Sequence, residues 1–320
     1  MIALEILVGV VGLLAGGEIL VRGASKLAVR LGMSPLVVGV TVVGFGTSVP
    51  ELVTCLEAAW RGAPGIAIGN IVGSNIANIM LILGVAALMR PFAVSRQAVV
   101  RDGGLVIATS LAFTFAALTG MLERWMGAVF VAGLCAYLVW LYFSEKQPSG
   151  EKIPVEGEPV PTPSELTGSW LLDLVLVVGG CALVVLGANF LVDGAVELAR
   201  MFHVSEDVIG LSLVAVGTSL PELATSIVAA VRKQSEIALG NVLGSNVYNV
   251  LGIGGITALV HPIPVSASML AFDFPVMVGV SVAMVLMVRS GARLSRVEGG
   301  VLLAAYAGYI GLLYYGVGAA

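Results

Sequence analysis

Gly46-Thr47-Ser48-Val49-Pro50-Glu51-Leu52 returns as Gly217-Thr218-Ser219-Leu220-Pro221-Glu222-Leu223, 171 positions further on. The same offset carries Gly69-Asn70-Ile71-Val72-Gly73-Ser74-Asn75-Ile76-Ala77-Asn78 onto Gly240-Asn241-Val242-Leu243-Gly244-Ser245-Asn246-Val247-Tyr248-Asn249. From position 37 to position 78, 21 of 42 residues equal their partner without a gap. Chance does not produce such a match, so the chain contains an internal duplication. Each copy sets a carboxylate, hydroxyls and amides inside strongly apolar sequence, where such groups are costly and mark function.

Around these segments the chain is 58% hydrophobic and only 11% charged over 320 residues, with a mean hydropathy of +1.03. Soluble domains carry about 25% charged residues, so a soluble globular protein is excluded. The apolar runs approach the ~20 residues that cross a hydrocarbon core. The composition therefore predicts an all-α polytopic membrane protein. Its surroundings are the lipid bilayer, no nucleic-acid partner is expected, and the oligomeric state is not encoded legibly. Cys55, Cys135 and Cys181 all fall inside apolar runs and read as small packing residues, not as a disulfide or metal framework. Met1 to Leu20 has no basic leader and reads as the first span.

Apolar runs set against charged breaks predict ten transmembrane helices, near 3–21, 35–60, 66–89, 101–119, 125–143, 169–191, 207–230, 237–260, 271–288 and 298–316. Ser144 to Gly168, with five prolines and several glutamates, is the expected linker between two halves, 1–143 and 169–320. Assigning alternate loops to one face puts 13 of the 16 lysines and arginines on the side of that linker. Only Arg61, Arg124 and Arg200 remain on the other. The positive-inside rule makes the first face cytoplasmic, with both termini outside a cell (inner) membrane. Five spans per half is an odd number, so the second half enters the membrane inverted. Transporters built as inverted repeats bind substrate near the midplane, at the repeat interface.

Glu51 lies about 24 Å along its span from the start, at 1.5 Å per residue, too deep to reach water. A carboxylate there must be protonated, paired or neutralised by a cation. No lysine or arginine falls in the middle of any span, which leaves a proton or a bound cation for Glu51 and Glu222. Pro50 and Pro221 lack the N–H and free carbonyls one turn earlier, near Gly46 and Gly217. With the Thr47, Ser48, Thr218 and Ser219 hydroxyls, this is an all-oxygen environment suited to hard cations such as Ca²⁺ or Na⁺. In the second element, Ser74 and Asn78 share a helix face, as do Ser245 and Asn249. The glycines Gly69, Gly73, Gly240 and Gly244 allow close helix approach.

Two copies of Gly-Thr-Ser-x-Pro-Glu, each followed by Gly-Asn-x-x-Gly-Ser-Asn-x-x-Asn, resemble the α-repeats of the cation/Ca²⁺ exchanger superfamily, the sodium/calcium exchangers of prokaryotic type. The resemblance covers the whole chain. It implies an antiporter, not an enzyme, with no cofactor and with Ca²⁺ and Na⁺ as transported ions, three Na⁺ moving against one Ca²⁺. It implies that Glu51 and Glu222 bridge a Ca²⁺ site to which Thr47 and Thr218 lend main-chain oxygens. Ser48, Ser74, Ser219 and Ser245, with carbonyls at Gly44 and Ala215, would form flanking Na⁺ sites. Asn78 and Asn249 would sit at the centre. Potassium-dependent members often carry Asp at one of these two positions. Asparagine at both lowers the available charge and weakens the case for K⁺ coupling.

The remaining polar residues have plainer readings. Asn70, Asn75, Asn241 and Asn246 read as structural. Glu18 reads as an interfacial partner of Arg22, four residues on. Asp102 and Asp273, also 171 apart, read as residues at helix N-termini. His203 and His261 are given no function. Asp193, Glu197, Glu206 and Asp207 read as a solvated acidic face. Three rivals to Na⁺/Ca²⁺ antiport remain: H⁺/Ca²⁺ exchange, since a buried glutamate can carry a proton; a cation channel with an acidic filter; and an intramembrane enzyme. The last finds no Ser–His or Cys–His pair at membrane depth.

Overall fold

The computed structural model describes residues 2–93, 99–145, 169–201, 215–291 and 293–314. The helices are α1 (Ile2–Leu31), α2 (Pro35–Thr47), α3 (Val49–Trp60), α4 (Pro64–Met89), α5 (Val100–Ala117) and α6 (Arg124–Glu145). They continue with α7 (Trp170–Met201), α8 (Ala215–Gly217), α9 (Leu220–Val231), α10 (Ser235–Val260), α11 (Ala267–Ala271), α12 (Asp273–Gly291) and α13 (Arg296–Tyr314). Among the described residues seven helices are long and apolar enough to cross a membrane, or eight if the bent pair α2–α3 is one span. The chain is therefore a multi-pass membrane protein whose candidate spans are helices. Residues 146–168 of the expected linker 144–168 and the positions 207–214 of the expected seventh span lie outside the described residues, as do His203, Glu206 and Asp207.

Two expected spans are longer than their apolar runs. The first continues from position 21 to Leu31 and the sixth from 191 to Met201. In α1 the extension keeps a buried stripe, Ala24, Leu27 and Ala28, while its two arginines find partners. Arg22 pairs with Glu18, and Arg30 pairs with Asp173 at the start of α7. Side-chain packing thus carries the helix past the length that hydropathy alone predicts. α1 and α7 lie along one another through a glycine seam. A Cβ on Gly12 would come within 2.9 Å of the Gly187 Cα, so the two backbones touch there.

α4 and α10 form the centre, with 78% and 89% of their most apolar windows buried, against 28% for α6 at the lipid boundary. α2 crosses α10 where Gly240 and Gly244 admit its backbone: a Cβ on Gly244 would lie 2.4 Å from the Val40 carbonyl oxygen. The matching glycines Gly69 and Gly73 have no such neighbour within 4 Å. Positions 207 and 211, which would face them by the repeat offset, are outside the described residues.

Four two-residue strands appear that the expectation of an all-helical chain did not include. β1 (Phe92–Ala93) pairs antiparallel with β4 (Arg293–Leu294), and β2 (Met121–Leu122) with β3 (Ile263–Pro264). Each ladder joins a loop of the first half to a loop of the second. Asp102 and Asp273 do lie in first helical turns. Each also faces a tyrosine of the following long helix: the Tyr137 hydroxyl donates to Asp102 at 3.4 Å and the Tyr309 hydroxyl to Asp273 at 2.7 Å.

Candidate functional site

Both copies of the Thr-Ser-x-Pro-Glu segment break their helix at the serine. Ser48 (φ −86°, ψ 4°) separates α2 from α3, and Ser219 (φ −91°, ψ 2°) separates α8 from α9. Neither angle pair is helical, and the axes of α2 and α3 diverge by 42°. The cause is local. Proline occupies one of the first two positions of α3 and of α9, has no N–H to give, and so leaves the carbonyls of Gly46 and Gly217 without their partner four residues on. The glutamate follows in the first turn, where the helix N-terminus favours a negative charge.

The broken segments meet α4 and α10 at the middle of the molecule, and the contacts come in exchanged pairs. The Ser48 hydroxyl donates to Glu222 Oε1 at 3.0 Å, and the Ser219 hydroxyl to Glu51 Oε1 at 3.5 Å. Ser48 Oγ lies 3.0 Å from Ser245 Oγ, and Ser219 Oγ lies 3.4 Å from Ser74 Oγ. Thr47 Oγ1 donates to Asn241 Oδ1 at 3.1 Å, and Thr218 Oγ1 to Asn70 Oδ1 at 3.3 Å. Asn241 Nδ2 reaches Ser226 Oγ at 3.0 Å, and Asn70 Nδ2 reaches Cys55 Sγ at 3.3 Å. In the first three pairs the second contact is the first with 171 positions added to one partner and taken from the other; in the fourth, both partners shift by 171 together, within each half. Exchanged contacts of this kind are what two similar segments packed against each other produce.

Among the residues singled out in the sequence, Glu51, Glu222, Thr47, Ser48, Ser74, Ser219, Ser245, Asn78 and Asn249 are all buried. Thr218 is half-buried. Gly44 joins them: a Cβ there would sit 3.2 Å from the Ser245 nitrogen, and its carbonyl accepts the Ser48 N–H at 3.1 Å. Ala215 opens α8, four residues before Ser219. Asn70 and Asn241, read from the sequence as structural, hold the threonine hydroxyls. Asn241 does more, since its Nδ2 also reaches the Glu222 carbonyl at 3.2 Å. Its place in the repeat marked it, but residue type and spacing did not reveal that link. Asn78 and Asn249 lie in π-helical turns, Asn78–Leu83 and Tyr248–Gly254, a geometry common at functional sites and unsignalled by the sequence.

The electrostatics are unbalanced. Glu51 and Glu222 are 1% and 0% exposed, and among the described residues neither forms a salt bridge. Glu51 Oε2, Glu222 Oε2, Asn78 Oδ1 and Asn249 Oδ1 are buried with no hydrogen-bond partner. Each such oxygen costs about 1–3 kcal/mol, more when charged. Two belong to the carboxylates and two to asparagine amides, a set that suits a cation with oxygen ligands. Among the described residues no three His, Cys, Asp or Glu side chains gather as a metal cluster. The donor set is thus that of a hard alkali or alkaline-earth ion, not of zinc or copper.

Beside the site lies a cavity of about 310 Å³, lined in part by Pro50, Thr54, Asn189, Asp193, Thr218 and Pro221. The threonines that the repeat offset matches to this lining are more deeply buried: Thr47 and Thr225 are 0% exposed, where Thr218 and Thr54 are half-buried. Gly17 packs so tightly that a Cβ would meet Val228 Cγ2 at 3.0 Å. Glu18 pairs with both Arg22 and Arg232, so its expected partner along the helix is joined by one from the other half.

The sodium/calcium exchanger protein family matches this chain over residues 2–143 and 172–315. The chain belongs to that family. As a member, it is a prokaryotic sodium/calcium exchanger of the cation/Ca²⁺ exchanger superfamily, whose members are transporters. It is 34% identical to the sodium/calcium exchanger MaX1 of Methanosarcina acetivorans, over 98% of each chain. It is 33% identical to the inner membrane protein YrbG of Escherichia coli, over 97% of this chain and 96% of that one. Its fold is similar to the solved sodium-calcium exchanger NCX_Mj, with a TM-score of 0.84, 30% identity and 98% of each chain covered.

Proposed function

We propose that this exchanger is a secondary active antiporter that moves Na⁺ against Ca²⁺ across the cell membrane by alternating access. The four unpartnered buried oxygens of Glu51, Glu222, Asn78 and Asn249 carry the reading. Glu51 and Glu222 hold Ca²⁺, with main-chain oxygens of Thr47 and Thr218. Ser48, Ser74, Ser219 and Ser245, with carbonyls of Gly44 and Ala215, hold Na⁺, and Asn78 and Asn249 complete the centre. NCX_Mj has been solved after soaking with Na⁺ together with Ca²⁺ or Sr²⁺, which fits the same donor chemistry.

Competition for one ligand set makes the transport an exchange. Two carboxylates neutralise one Ca²⁺, whereas three Na⁺ leave a net positive charge, so the cycle is electrogenic. Ten spans in two inverted repeats of five, 1–143 and 169–320 around a cytoplasmic linker, supply the two-fold frame. The exchanged contact pairs at the site support it. A cavity beside the glutamates and deeper burial of the threonines matched to its lining fit a carrier caught open to one face. With both termini outside, that face is external.

Changing Glu51 or Glu222 to Gln keeps the volume and removes one charge. Either variant should insert and purify as a monodisperse protein yet lose Na⁺-driven ⁴⁵Ca²⁺ flux by at least about a hundredfold, since removing one partner of a buried charge contact costs about 3–5 kcal/mol. Robust exchange by Glu222→Gln would show that these carboxylates do not form the site.

A further inference from the structure

The cavity lining and its repeat partners differ in charge as well as in burial. The repeat offset maps Asn189 onto Glu18 and Asp193 onto Arg22. Among the repeat partners Glu18 is held by Arg22 and Arg232. In the lining the carboxylate of Asp193 lies on the cavity wall, exposed, and the salt bridges among the described residues do not include it. Arg61, the repeat partner of Arg232, pairs instead with Glu57 on its own helix. The cavity is polar along Thr54, Asn189, Asp193 and Thr218, and its wall includes Pro50 and Pro221, the residues directly before the two glutamates.

We infer that Asp193 is a cation-recruiting residue: its carboxylate raises the local concentration of Ca²⁺ and Na⁺ in the cavity and so sets apparent affinity on the external face alone. The acidic residue is thus part of the ion path and not of a merely solvated face. The inference rests on the antiport reading above. Its physical signature is distinctive. A negative potential concentrates an ion by a Boltzmann factor whose exponent scales with ion charge, so the factor for Ca²⁺ is the square of that for Na⁺. A unit charge acting across ~7 Å of water corresponds to about threefold for Na⁺ and therefore about ninefold for Ca²⁺. Screening lengths of ~30 Å at 0.01 M salt and ~8 Å at 0.15 M make the effect dependent on ionic strength. Recruitment changes the half-saturating concentration and leaves the maximal rate alone. A packing role would not discriminate between the two ions or between the two faces.

The test compares the wild type, Asp193→Asn and Asp193→Glu in right-side-out and inside-out membrane vesicles, with choline chloride setting ionic strength. In right-side-out vesicles at low salt, Asp193→Asn should raise the half-saturating Ca²⁺ about ninefold and Na⁺ about threefold, with maximal flux unchanged. The difference should shrink at high salt, Asp193→Glu should restore wild-type values, and inside-out vesicles should show no shift. Equal shifts for both ions, a shift in inside-out vesicles, a fall in maximal flux or no shift at all would each overturn the assignment. If only the role of Asp193 is wrong, wild-type vesicles still exchange Na⁺ for Ca²⁺. If the antiport reading is wrong, they do not, and the inference falls with it.

Discussion

At the scale of single residues, the site depends on amides as much as on carboxylates. Asn241 accepts from Thr47 and donates toward the Glu222 carbonyl and Ser226, so it fixes both broken helices of the site at once. Asn241→Ala removes three contacts of about 0.5–1.5 kcal/mol each. Apparent Ca²⁺ affinity in a flux titration should fall about tenfold or more while the protein still inserts. Unchanged affinity would make the contact incidental. Asn249 bears on selectivity. With an amide there, the centre holds two formal negative charges, and adding K⁺ beside Ca²⁺ would set three positive charges against them in a low dielectric. Wild-type exchange should therefore proceed with K⁺ replaced by choline on both sides, and Asn249→Asp should change the cation dependence. The sequence made most of this shell legible, because residues repeated at one offset in apolar surroundings stand out singly. It did not show which asparagine serves which threonine, since those contacts run between the halves.

At the scale of elements, breaks and close approaches matter more than helical propensity. The proline positions foretold where the helices carrying Glu51 and Glu222 would open. The π-helical turns at Asn78 and Tyr248 were not foretold, because one extra residue per turn leaves no mark on apolar periodicity. The overrun of α1 was missed for a related reason: hydropathy reports the bilayer's thickness, whereas Arg22 is carried by Glu18 of the same helix and Arg30 by Asp173 of α7. The α1–α7 seam gives a stability prediction. A leucine at Gly12 would have to occupy the space where the Gly187 Cα already stands within 2.9 Å of a Cβ. Overpacking of this kind costs about 1–3 kcal/mol. The apparent melting temperature of Gly12→Leu in detergent should drop by about 5 °C. A stability equal to wild type would mean that the seam is loose.

At the scale of the whole molecule, the exchanged contacts around Glu51 and Glu222 set two similar halves face to face, and the one-sided cavity breaks their equivalence. Orientation follows from the basic residues, not from the packing. In an otherwise cysteine-free background, a cysteine replacing Ser149 should be protected from an impermeant thiol reagent in intact cells. One appended after Ala320 should label, and the reverse pattern would invert the external and cytoplasmic faces. The most direct measurement is ⁴⁵Ca²⁺ uptake into proteoliposomes loaded with Na⁺, K⁺ or choline, with a parallel set carrying only a pH gradient. Uptake in Na⁺-loaded vesicles, and none above background in the others, is the predicted result. Uptake driven by the pH gradient, or equal uptake whatever the internal cation, would contradict Na⁺/Ca²⁺ exchange at the paired glutamates.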